Sequence, residues 1–466
     1  MSESNDYDLV VIGAGPGGYV AAIRAAQLGL RVACIEKESS LGGTCLNWGC
    51  IPSKALLDSS ELYHQARTSF ARHGIKADVS LDLPAMMARK DQVVASLTRG
   101  VASLFKKNKI ESVIGTAKIV DARTLVVTNA SGERALKTQR ILIATGSDVV
   151  RLPNIPVDGV DIITSTEAIA LKEVPRKLIV IGGGAIGLEL GSVWKRLGAE
   201  VVVIEFLDRI MSLMDGEMTA LLQRALEKQG ITFKLKTAAL SVEKVGGQLK
   251  LTWKSDDETG EELADKILVA VGRKPYTDKL GLQDAGVALD KRGFVIADAH
   301  YATNVPGIWA IGDVIGGAML AHKAEEEGVA VAELMAGRAG HVNYHAVPSV
   351  VYTHPELAGV GSTEEQLKDK GVDYRVGKFP FAANGRAKCM DAAEGQVKIL
   401  ADAQTDRVLG MHILGPRASD LIAEGAVAIE LAASSEDLAR SVHAHPTLPE
   451  AIKEAAMAVE KRAIHF

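Results

Sequence analysis

Short apolar runs, each ended by glycine or by an acidic residue, set the pattern of the amino-terminal region. The run 9–12 ends at Gly13, a stretch of helical character follows, and a second apolar run over 31–35 ends at Glu36. Short continuous apolar runs are typical of buried strands in a parallel sheet, because helices cover the faces of such a sheet. The pattern therefore predicts a strand, a tight turn, a helix and a second strand.

The same pattern returns further along the chain. The run 178–181 is again followed by glycines, and the run 200–204 again ends at an acid, Glu205. An internal repeat of this kind indicates two copies of one strand-helix-strand unit. The repeat predicts an α/β chain built around two such units.

The carboxyl-terminal part of the chain has a different pattern. Predicted strands over 395–400 and 408–414 are followed by an alanine-rich helix over 420–433. Such an apolar helix needs a partner surface. Earlier in the chain, Gly246 and Gly247 predict the turn of a hairpin. The apolar runs are short and broken by glycine or charge, so the sequence predicts no membrane span.

Each repeat carries the spacing Gly-x-Gly-x-x-Gly directly after its first strand. The first glycine permits the tight turn, the second lets the backbone approach a pyrophosphate, and the third packs the helix on the strand. The acid after the second strand accepts a hydrogen bond from a ribose hydroxyl. One match alone is weak, but two matches with the acid at the same offset predict two dinucleotide sites. The predicted residues are Gly13, Gly15, Gly18 and Glu36 in the first copy, and Gly182, Gly184, Gly187 and Glu205 in the second.

Two cysteines, Cys45 and Cys50, follow the first glycine turn. The residues between them allow a tight loop, and Pro52 suits the first turn of a following helix. Cys50 would then lie near a helix N-terminus, where the positive end of the helix dipole favours a thiolate. A structural disulfide and half of a zinc site are the alternatives, and zinc is disfavoured because a closed site needs four Cys or His ligands. Redox chemistry is the favoured interpretation.

Composition and charge narrow the class of protein. Only two further cysteines, Cys34 and Cys389, occur in 466 residues, which is far from a disulfide framework. The polar and acidic amino terminus shows no secretory signal, so we expect a cytoplasmic enzyme. A net charge of -5 without a basic stripe gives no sign of nucleic-acid binding. We expect no metal site.

Three further segments carry a family resemblance. They are Ile143 to Ser147, Val305 to Asp313 and His443 to Glu450. With the cysteine run and the two glycine turns, they make the chain similar from end to end to the pyridine nucleotide-disulfide oxidoreductases. The similarity is closest to the dihydrolipoamide dehydrogenases, the flavoprotein components of 2-oxo acid dehydrogenase complexes. The resemblance implies an α/β fold with two Rossmann-like dinucleotide-binding domains and a C-terminal α+β dimerisation domain.

The resemblance also implies that the protein is a homodimer, and it gives the bounds of the domains in each subunit. Residues 1–147 would form the first part of an FAD-binding domain, and 148–272 an NAD-binding domain. Residues 273–345 would form a central domain that completes the FAD site, and 346–466 the interface domain.

Within this resemblance, the first glycine turn binds FAD. Lys54 would lie beside the flavin ring. A helix opened by the segment Met319, Leu320, Ala321 and His322 would point at the pyrimidine end of the ring, where a helix N-terminus stabilises the anionic reduced flavin. We expect His322 to contribute only its backbone. The remaining residues implied at FAD are Gly42, Gly43, Thr44, Ala117, Thr145, Gly146, Ser147 and Asp313.

The second glycine turn would bind NAD. Glu189 resembles a carboxylate that pairs with Lys54, and Ala185 stands where NADPH-dependent glutathione reductases place a tyrosine gate. Glu205 favours NAD over NADP, because its carboxylate would repel a 2′-phosphate. Gly272 matches a later contact of the family with this cofactor.

The resemblance gives the acid-base role to His445 and Glu450. Imidazole titrates near neutral pH and can take protons from substrate thiols, and the carboxylate would fix its tautomer. The implied reaction is the NAD-dependent oxidation of protein-bound dihydrolipoamide through a Cys45-Cys50 disulfide and FAD. Pro449 and Trp48 depart from the usual residues of the family, and the indole could alter access to the disulfide.

Other functions make different demands on the sequence. Other disulfide reductases of the family need a second redox pair or a cationic NADP site, and a non-catalytic flavoprotein subunit would lack a reacting group. The expected partners are lipoyl domains or the E2 core of a 2-oxo acid dehydrogenase complex, or a glycine cleavage carrier protein. No motif in the sequence indicates which of these partners the protein binds.

Overall fold

The computed structural model describes residues 6–256 and 258–466. They form two compact units. Unit 1 comprises the residues up to Pro52, Ala88–Val150 and Gly272–Val342, and unit 2 comprises Ser53–Met87, Arg151–Val271 and Asn343–Phe466. In the part of the chain that is described, no helix has both the length and the apolar character needed to cross a membrane.

The helices and strands are numbered separately in chain order. The helices are α1 (Pro16–Gln27), α2 (Gly43–Trp48), α3 (Cys50–Thr68), α4 (Leu83–Lys107), α5 (Ser165–Ala168), α6 (Ala185–Leu197), α7 (Gly216–Lys228), α8 (Ala321–Met335), α9 (Glu364–Asp369), α10 (Gly385–Cys389), α11 (Ala418–Glu430), α12 (Ser435–Arg440) and α13 (Glu450–Val459). The strands up to residue 150 are β1 (Leu9–Ile12), β2 (Val32–Glu36), β3 (Glu111–Ile114), β4 (Thr116–Asp121), β5 (Thr124–Asn129), β6 (Gly132–Lys137), β7 (Ile141–Ile143) and β8 (Ser147–Val149).

The remaining strands are β9 (Ile162–Ile163), β10 (Lys177–Ile181), β11 (Glu200–Ile204), β12 (Ile231–Lys234), β13 (Ala238–Val245), β14 (Gln248–Lys254), β15 (Thr259–Ala264), β16 (Lys266–Val269), β17 (Arg273–Pro275), β18 (Ile308–Ala310), β19 (Ser349–Val351), β20 (Glu356–Gly361), β21 (Tyr374–Pro380), β22 (Gln396–Asp402) and β23 (Val408–Gly415).

Unit 1 is built on a five-stranded parallel sheet in the order β18-β7-β1-β2-β3. Strand β1 is completely buried, and its alternate side chains enter two different cores. One core lies under α1 and α8, and the other lies under the antiparallel sheet β4-β5-β6. Two glycines let α1 and α8 approach closely, since a Cβ on Gly17 would lie 2.9 Å from the Ala324 carbonyl oxygen and one on Gly328 would lie 2.7 Å from that of Gly17.

Unit 2 contains the second parallel sheet, in the order β12-β11-β10-β16-β9, covered on one face by the antiparallel sheet β13-β14-β15. The hairpin predicted at Gly246 and Gly247 is confirmed, because Val245 pairs with Gln248 across that turn. A third sheet, β19-β20-β23-β22-β21, is antiparallel and packs against α11 and α13. The predicted α/β class with a doubled strand-helix-strand unit is confirmed.

Candidate functional site

The first glycine turn joins β1 to α1. Gly13 has φ +100°, and a Cβ there would lie 2.5 Å from the Ala144 carbonyl oxygen. A Cβ on Gly18 would lie 1.8 Å from the Gly13 carbonyl oxygen, so helix and strand touch through backbone alone. Gly15 precedes the first residue of α1, and no side chain caps that helix. The turn therefore presents backbone N–H groups to an anion at a helix N-terminus.

Glu36 ends β2 beside this turn and is 5% exposed. Its carboxylate accepts the Ala14 N–H at 2.9 Å and the Glu38 N–H at 3.1 Å. These bonds hold the carboxylate at the turn, as hydrogen bonding to a ribose requires. Ala117 lies in the core of unit 1 at 4% exposure, so only its backbone is available to a cofactor.

The segment between the two cysteines differs from the predicted loop. Residues Gly43–Trp48 form the short helix α2, and α3 starts directly after Gly49. The Asn47 side-chain amide donates to the carbonyl oxygen of Gly43 at 2.9 Å and to that of Leu41 at 3.2 Å, which stabilises the helical turn. The loop prediction was wrong, because the sequence pattern does not reveal which backbone groups the Asn47 side chain will contact.

Glycines hold α2 against the first dinucleotide turn. Gly42 lies before α2 with φ +106°, and a Cβ on Gly43 would lie 2.5 Å from the Cα of Gly15. Thr44 and Cys45 are the next residues of α2. The first cysteine is therefore attached to the same backbone that would bind the pyrophosphate.

Cys50 is the first residue of the 19-residue helix α3, with Pro52 in its first turn as predicted. Cys45 and Cys50 are both half-buried. The dipole at the start of a long helix favours a thiolate at this position. Cys34 shows the opposite environment, because burial in the core raises the pKa of its thiol.

Ser147 and Asp313 meet at the carboxyl end of β7. The Ser147 hydroxyl donates to Asp313 at 2.5 Å, and the Arg273 guanidinium donates to the Ser147 hydroxyl at 2.7 Å and to its carbonyl oxygen at 2.6 Å. Thr145 donates to the carbonyl oxygen of Tyr276 at 2.7 Å. The network brings together residues predicted from distant segments and adds Arg273, which the sequence did not single out.

A buried ion pair supports the Asp313 turn and was missed from the sequence. Lys323 and Glu327 lie one turn apart on α8, are almost fully buried and approach to 3.0 Å. Glu327 accepts the Gly312 N–H at 2.7 Å, and Lys323 donates to the carbonyl oxygen of Gly316 at 2.9 Å. The four-residue spacing of opposite charges in the sequence could have indicated it.

Helix α8 starts at Ala321, directly after Met319 and Leu320, so the predicted helix start is present and His322 lies in the first turn. No side chain caps this N-terminus. Gly146 and Gly272 have φ +70° and +119°, which favour glycine.

The second glycine turn repeats the first. Gly182 has φ +111°, and a Cβ on it would lie 2.4 Å from the Ala270 carbonyl oxygen. A Cβ on Gly187 would lie 2.2 Å from the Gly182 carbonyl oxygen. Gly184 precedes α6, which begins at Ala185 without a side-chain cap. This cradle also fits a pyrophosphate.

Glu205 occupies the position that Glu36 has in the first copy. It follows β11 and accepts the Gly183 N–H at 2.6 Å and the Leu207 N–H at 2.8 Å. Arg209 is directed elsewhere, donating to the carbonyl oxygen of Ser212 at 3.0 Å. The charge beside the second turn is therefore negative.

Glu189 on α6 is 5% exposed and joins two other segments of unit 2. Its carboxylate lies 2.8 Å from the Lys54 ammonium and accepts the Tyr352 N–H at 3.0 Å. The ammonium also lies 4.3 Å from the centre of the Tyr352 ring. Lys54 is one helical turn beyond Cys50 on α3.

His445 and Glu450 form a hydrogen-bonded pair. The imidazole Nδ1 lies 2.9 Å from the Glu450 carboxylate, which also accepts the Thr447 N–H at 2.7 Å. Burial raises the pKa of Glu450, but the bonds from Thr447 and His445 outweigh it and hold the pKa below its usual value. The His445 side chain is 79% exposed, so its second nitrogen faces outward.

Both glycine turns satisfy the requirements of a dinucleotide, a side-chain-free cradle at an uncapped helix N-terminus with a carboxylate beside it. Among the residues that the structure describes, no group of three or more His, Cys, Asp or Glu side chains could hold a metal ion.

Two family models match the chain. Residues 7–328 match the model of the pyridine nucleotide-disulphide oxidoreductases, and residues 347–456 match the model of their dimerisation domain. Among solved structures, LpdA from Mycobacterium tuberculosis has a TM-score of 0.89 at 29% identity, with 96% of this chain and 98% of LpdA covered.

Curated relatives are similar over the whole chain. A mitochondrial dihydrolipoyl dehydrogenase of Pisum sativum is 55% identical, with 100% of this chain and 94% of the relative covered. A mitochondrial dihydrolipoyl dehydrogenase of Arabidopsis thaliana is 57% identical, with 100% and 92% covered. These relatives contradict the expected cytoplasmic location, which is therefore withdrawn. The expectation rested on the absence of a secretory signal, which does not distinguish the cytoplasm from a mitochondrion.

Proposed function

Because the chain belongs to the pyridine nucleotide-disulphide oxidoreductase family, we propose that it is a flavoenzyme that oxidises protein-bound dihydrolipoamide with NAD⁺. The observation that carries this proposal is the attachment of the Cys45 helix to the first dinucleotide turn through Gly43 and Gly15. It places a thiol pair next to a nucleotide cradle. The 51–57% identity to dihydrolipoyl dehydrogenases supports the choice of substrate.

We assign FAD to the first turn and NAD to the second. Unit 1 would hold FAD through the glycine turn, Glu36 and the Ser147-Asp313 network, and α8 would direct its N-terminus at the flavin. When bound, FAD accepts the two electrons of a dithiol and NAD⁺ removes them as hydride. We propose the domain bounds that the family resemblance implies, namely 1–147, 148–272, 273–345 and 346–466.

The protein's part in the thiol chemistry begins at Cys45. A substrate thiolate attacks Cys45 of the disulfide, which forms a mixed disulfide and expels Cys50 as a thiolate. The second substrate thiol then displaces Cys45 and closes the lipoyl ring. The start of α3 stabilises the expelled charge, which fixes the direction of attack.

His445 supplies the base for this exchange. Its exposed nitrogen takes the substrate proton, while Glu450 holds the other nitrogen at 2.9 Å and stabilises the imidazolium that forms. The pKa of Glu450 lies below its usual value, so the carboxylate stays charged when the imidazole does.

The enzyme is a homodimer that serves a 2-oxo acid dehydrogenase complex. We propose that its immediate substrate is a lipoyl domain or the E2 core of such a complex, or the carrier protein of glycine cleavage.

The test compares two substrates, dihydrolipoamide and glutathione disulfide, with each nicotinamide nucleotide on one purified sample. We expect NAD⁺ reduction with dihydrolipoamide, and little turnover of glutathione disulfide with NADH or NADPH. A yellow, folded protein that turns over glutathione disulfide but not dihydrolipoamide would instead be a different reductase of the family. A folded protein that takes up no flavin would contradict the cofactor assignment.

A further inference from the structure

Two ion pairs connect helices α3 and α6. Lys54 on α3 lies 2.8 Å from Glu189 on α6. The second pair joins Glu61 on α3 to Arg196 on α6, with 3.1 Å between the carboxylate and the Arg196 Nε. The two members on each helix are seven residues apart.

The equal spacing determines the relative direction of α3 and α6. Seven residues are about two turns, or about 10 Å along a helix, and return to the same face. Since both pairs form at once, α3 and α6 run in the same direction over these turns. The charges are reversed between the pairs, so a slide of two turns would bring Glu61 opposite Glu189 or Lys54 opposite Arg196. Like charges would then meet, and the pattern therefore specifies one register.

The second pair is the more deeply buried. The Arg196 side chain is 3% exposed and that of Glu61 is 16% exposed. Arg196 also approaches the carbonyl oxygen of Leu57 at 3.4 Å and the Ser60 hydroxyl at 3.5 Å, both on α3. Removing one member of such a pair is costly, because the other charge stays buried without compensation.

A cavity at this level is lined mainly by polar and charged side chains. Its volume is about 70 Å³, and its lining includes Lys54, Glu61 and Arg196 together with Asp58, Tyr352 and His354. In the described part of the chain, Nε and Nη2 of Arg196 are buried and make no hydrogen bond, so Nε contacts Glu61 as an ion pair only. The contacts that join the two helices at this level therefore include two ion pairs.

The register of the two helices affects the site, because α3 begins at a cysteine and α6 begins at the second glycine turn. Helix α3 begins at Cys50, four residues before Lys54, and α6 begins at Ala185, four residues before Glu189. A change in register would move the ammonium of Lys54 off Glu189 and shift the helix that carries a redox cysteine.

We propose that Arg196 is a positioning residue, which pairs with Glu61 to lock the register of α3 and α6 and thereby keeps Lys54 on Glu189. This role rests on the proposed function, in which α3 and α6 serve the thiol pair and the nicotinamide.

The test measures, in the purified holoenzyme, how well the pairing with Glu189 protects the Lys54 amine from chemical modification. Methyl acetimidate modifies accessible lysine amines, and mass spectrometry of the peptides gives the rate at Lys54. In Arg196→Met we expect that rate to rise about tenfold, within the range of coupling between neighbouring groups. Bleaching of the flavin by NADH, followed without any thiol substrate, should slow by a similar factor. Arg196→Lys keeps the charge and should recover most of both values.

Lys177→Met is the matched control. Lys177 is a partly buried lysine of the same dinucleotide domain that pairs with Glu262 at 3.0 Å and lies outside the α3–α6 pairs. Lys177→Met should lower the midpoint of thermal unfolding without changing the rate at which Lys54 is modified. A rise equal to that in Arg196→Met would show a general loss of stability and overturn the proposal, as would unchanged modification in a folded Arg196→Met.

A second variant covers the case in which Arg196→Met does not fold. Glu61→Gln leaves the arginine in place and should raise the modification rate about threefold. An unchanged rate there would also overturn the proposal. Neither readout uses dihydrolipoamide, so absence of dihydrolipoamide turnover in the wild type would count against the proposed function alone.

Discussion

At the scale of single residues, the two cysteines differ in their position on a helix. Cys50 is the first residue of the 19-residue helix α3, whereas Cys45 is the third residue of the 6-residue helix α2. We predict that two-electron reduction produces a long-wavelength absorbance band from the Cys50 thiolate to oxidised flavin, and that Cys50→Ser abolishes it. Absorbance spectra during anaerobic titration with dithionite measure the band.

Cys45→Ser is the control for this assignment. It leaves Cys50 unable to form the disulfide, so we expect the band before any reductant is added. A band that persists in Cys50→Ser and is absent from Cys45→Ser would mean that the two sulfur roles are reversed.

We expect the carboxylate of Glu205 to determine which nicotinamide nucleotide is used. It is held by the N–H groups of Gly183 and Leu207, and Arg209 is engaged with Ser212 rather than with the turn. We predict that Glu205→Ala narrows the preference for NAD⁺ over NADP⁺ by at most a few kcal/mol, since no cationic site for a 2′-phosphate is created. The ratio of kcat/KM for the two nucleotides measures this, and equal values in the wild type would show that the carboxylate does not face the ribose.

At the scale of elements, a buried ionic cluster joins α7 to the third sheet of unit 2. Lys398 on β22 is 1% exposed and lies 3.0 Å from Asp215, 3.1 Å from Glu217 and 2.6 Å from Glu364. Asp215 also caps α7. Glu217 and Glu364 also pair with Lys378 and Lys368, whereas Asp215 is fully buried, so loss of Lys398 would leave the Asp215 carboxylate buried without its lysine partner.

Stability at acid pH should depend on this cluster. Burial raises the pKa of Glu364, but hydrogen bonds from Lys398, Lys368 and Tyr374 outweigh it and lower the pKa to about 2. A carboxylate whose folded pKa is depressed stabilises the fold above its unfolded pKa and loses that contribution as the pH falls toward the folded value. We therefore predict that the wild type loses stability progressively between about pH 5 and pH 2.

Lys398→Met should cost about 3–5 kcal/mol at pH 7, and less at pH 4, where the released carboxylates accept protons. Thermal midpoints at the two pH values measure the difference. Lys368→Met is the control, because Lys368 pairs with Glu364 at 2.9 Å but is 62% exposed and should contribute little. Equal losses at both pH values would contradict the coupling.

Sequence alone predicted elements better than it predicted the links between them. The strands around Gly13 and Gly182 and the hairpin at Gly246 follow from local patterns of apolar residues and glycine. The short helix between the cysteines depends on the Asn47 amide, whose partners a one-dimensional pattern does not reveal. The Lys398 cluster joins residues far apart in sequence, so its charges read as ordinary surface charges until the fold brings them together.

At the scale of the whole molecule, the question is which subunit supplies the base. The His445 side chain is 79% exposed, and the neighbouring Val442 is 94% exposed. Both belong to the segment that matches the family's dimerisation domain. An exposed apolar residue beside an exposed reactive imidazole is expected where a second subunit covers the surface. We therefore predict that His445 serves the disulfide of the other subunit.

Mixed dimers test this prediction. Cys50→Ser homodimers should be inactive, and His445→Ala homodimers should lose on the order of 10² to 10⁴ in rate. Unfolding and reassembling a mixture of the two, one of them tagged, gives heterodimers that can be purified. If the base acts across the interface, one site of each heterodimer combines the intact disulfide of one chain with the intact His445 of the other, and about half of the wild-type activity returns. If His445 acted within its own chain, each site would still lack one group, and the purified heterodimers would be no more active than the parents.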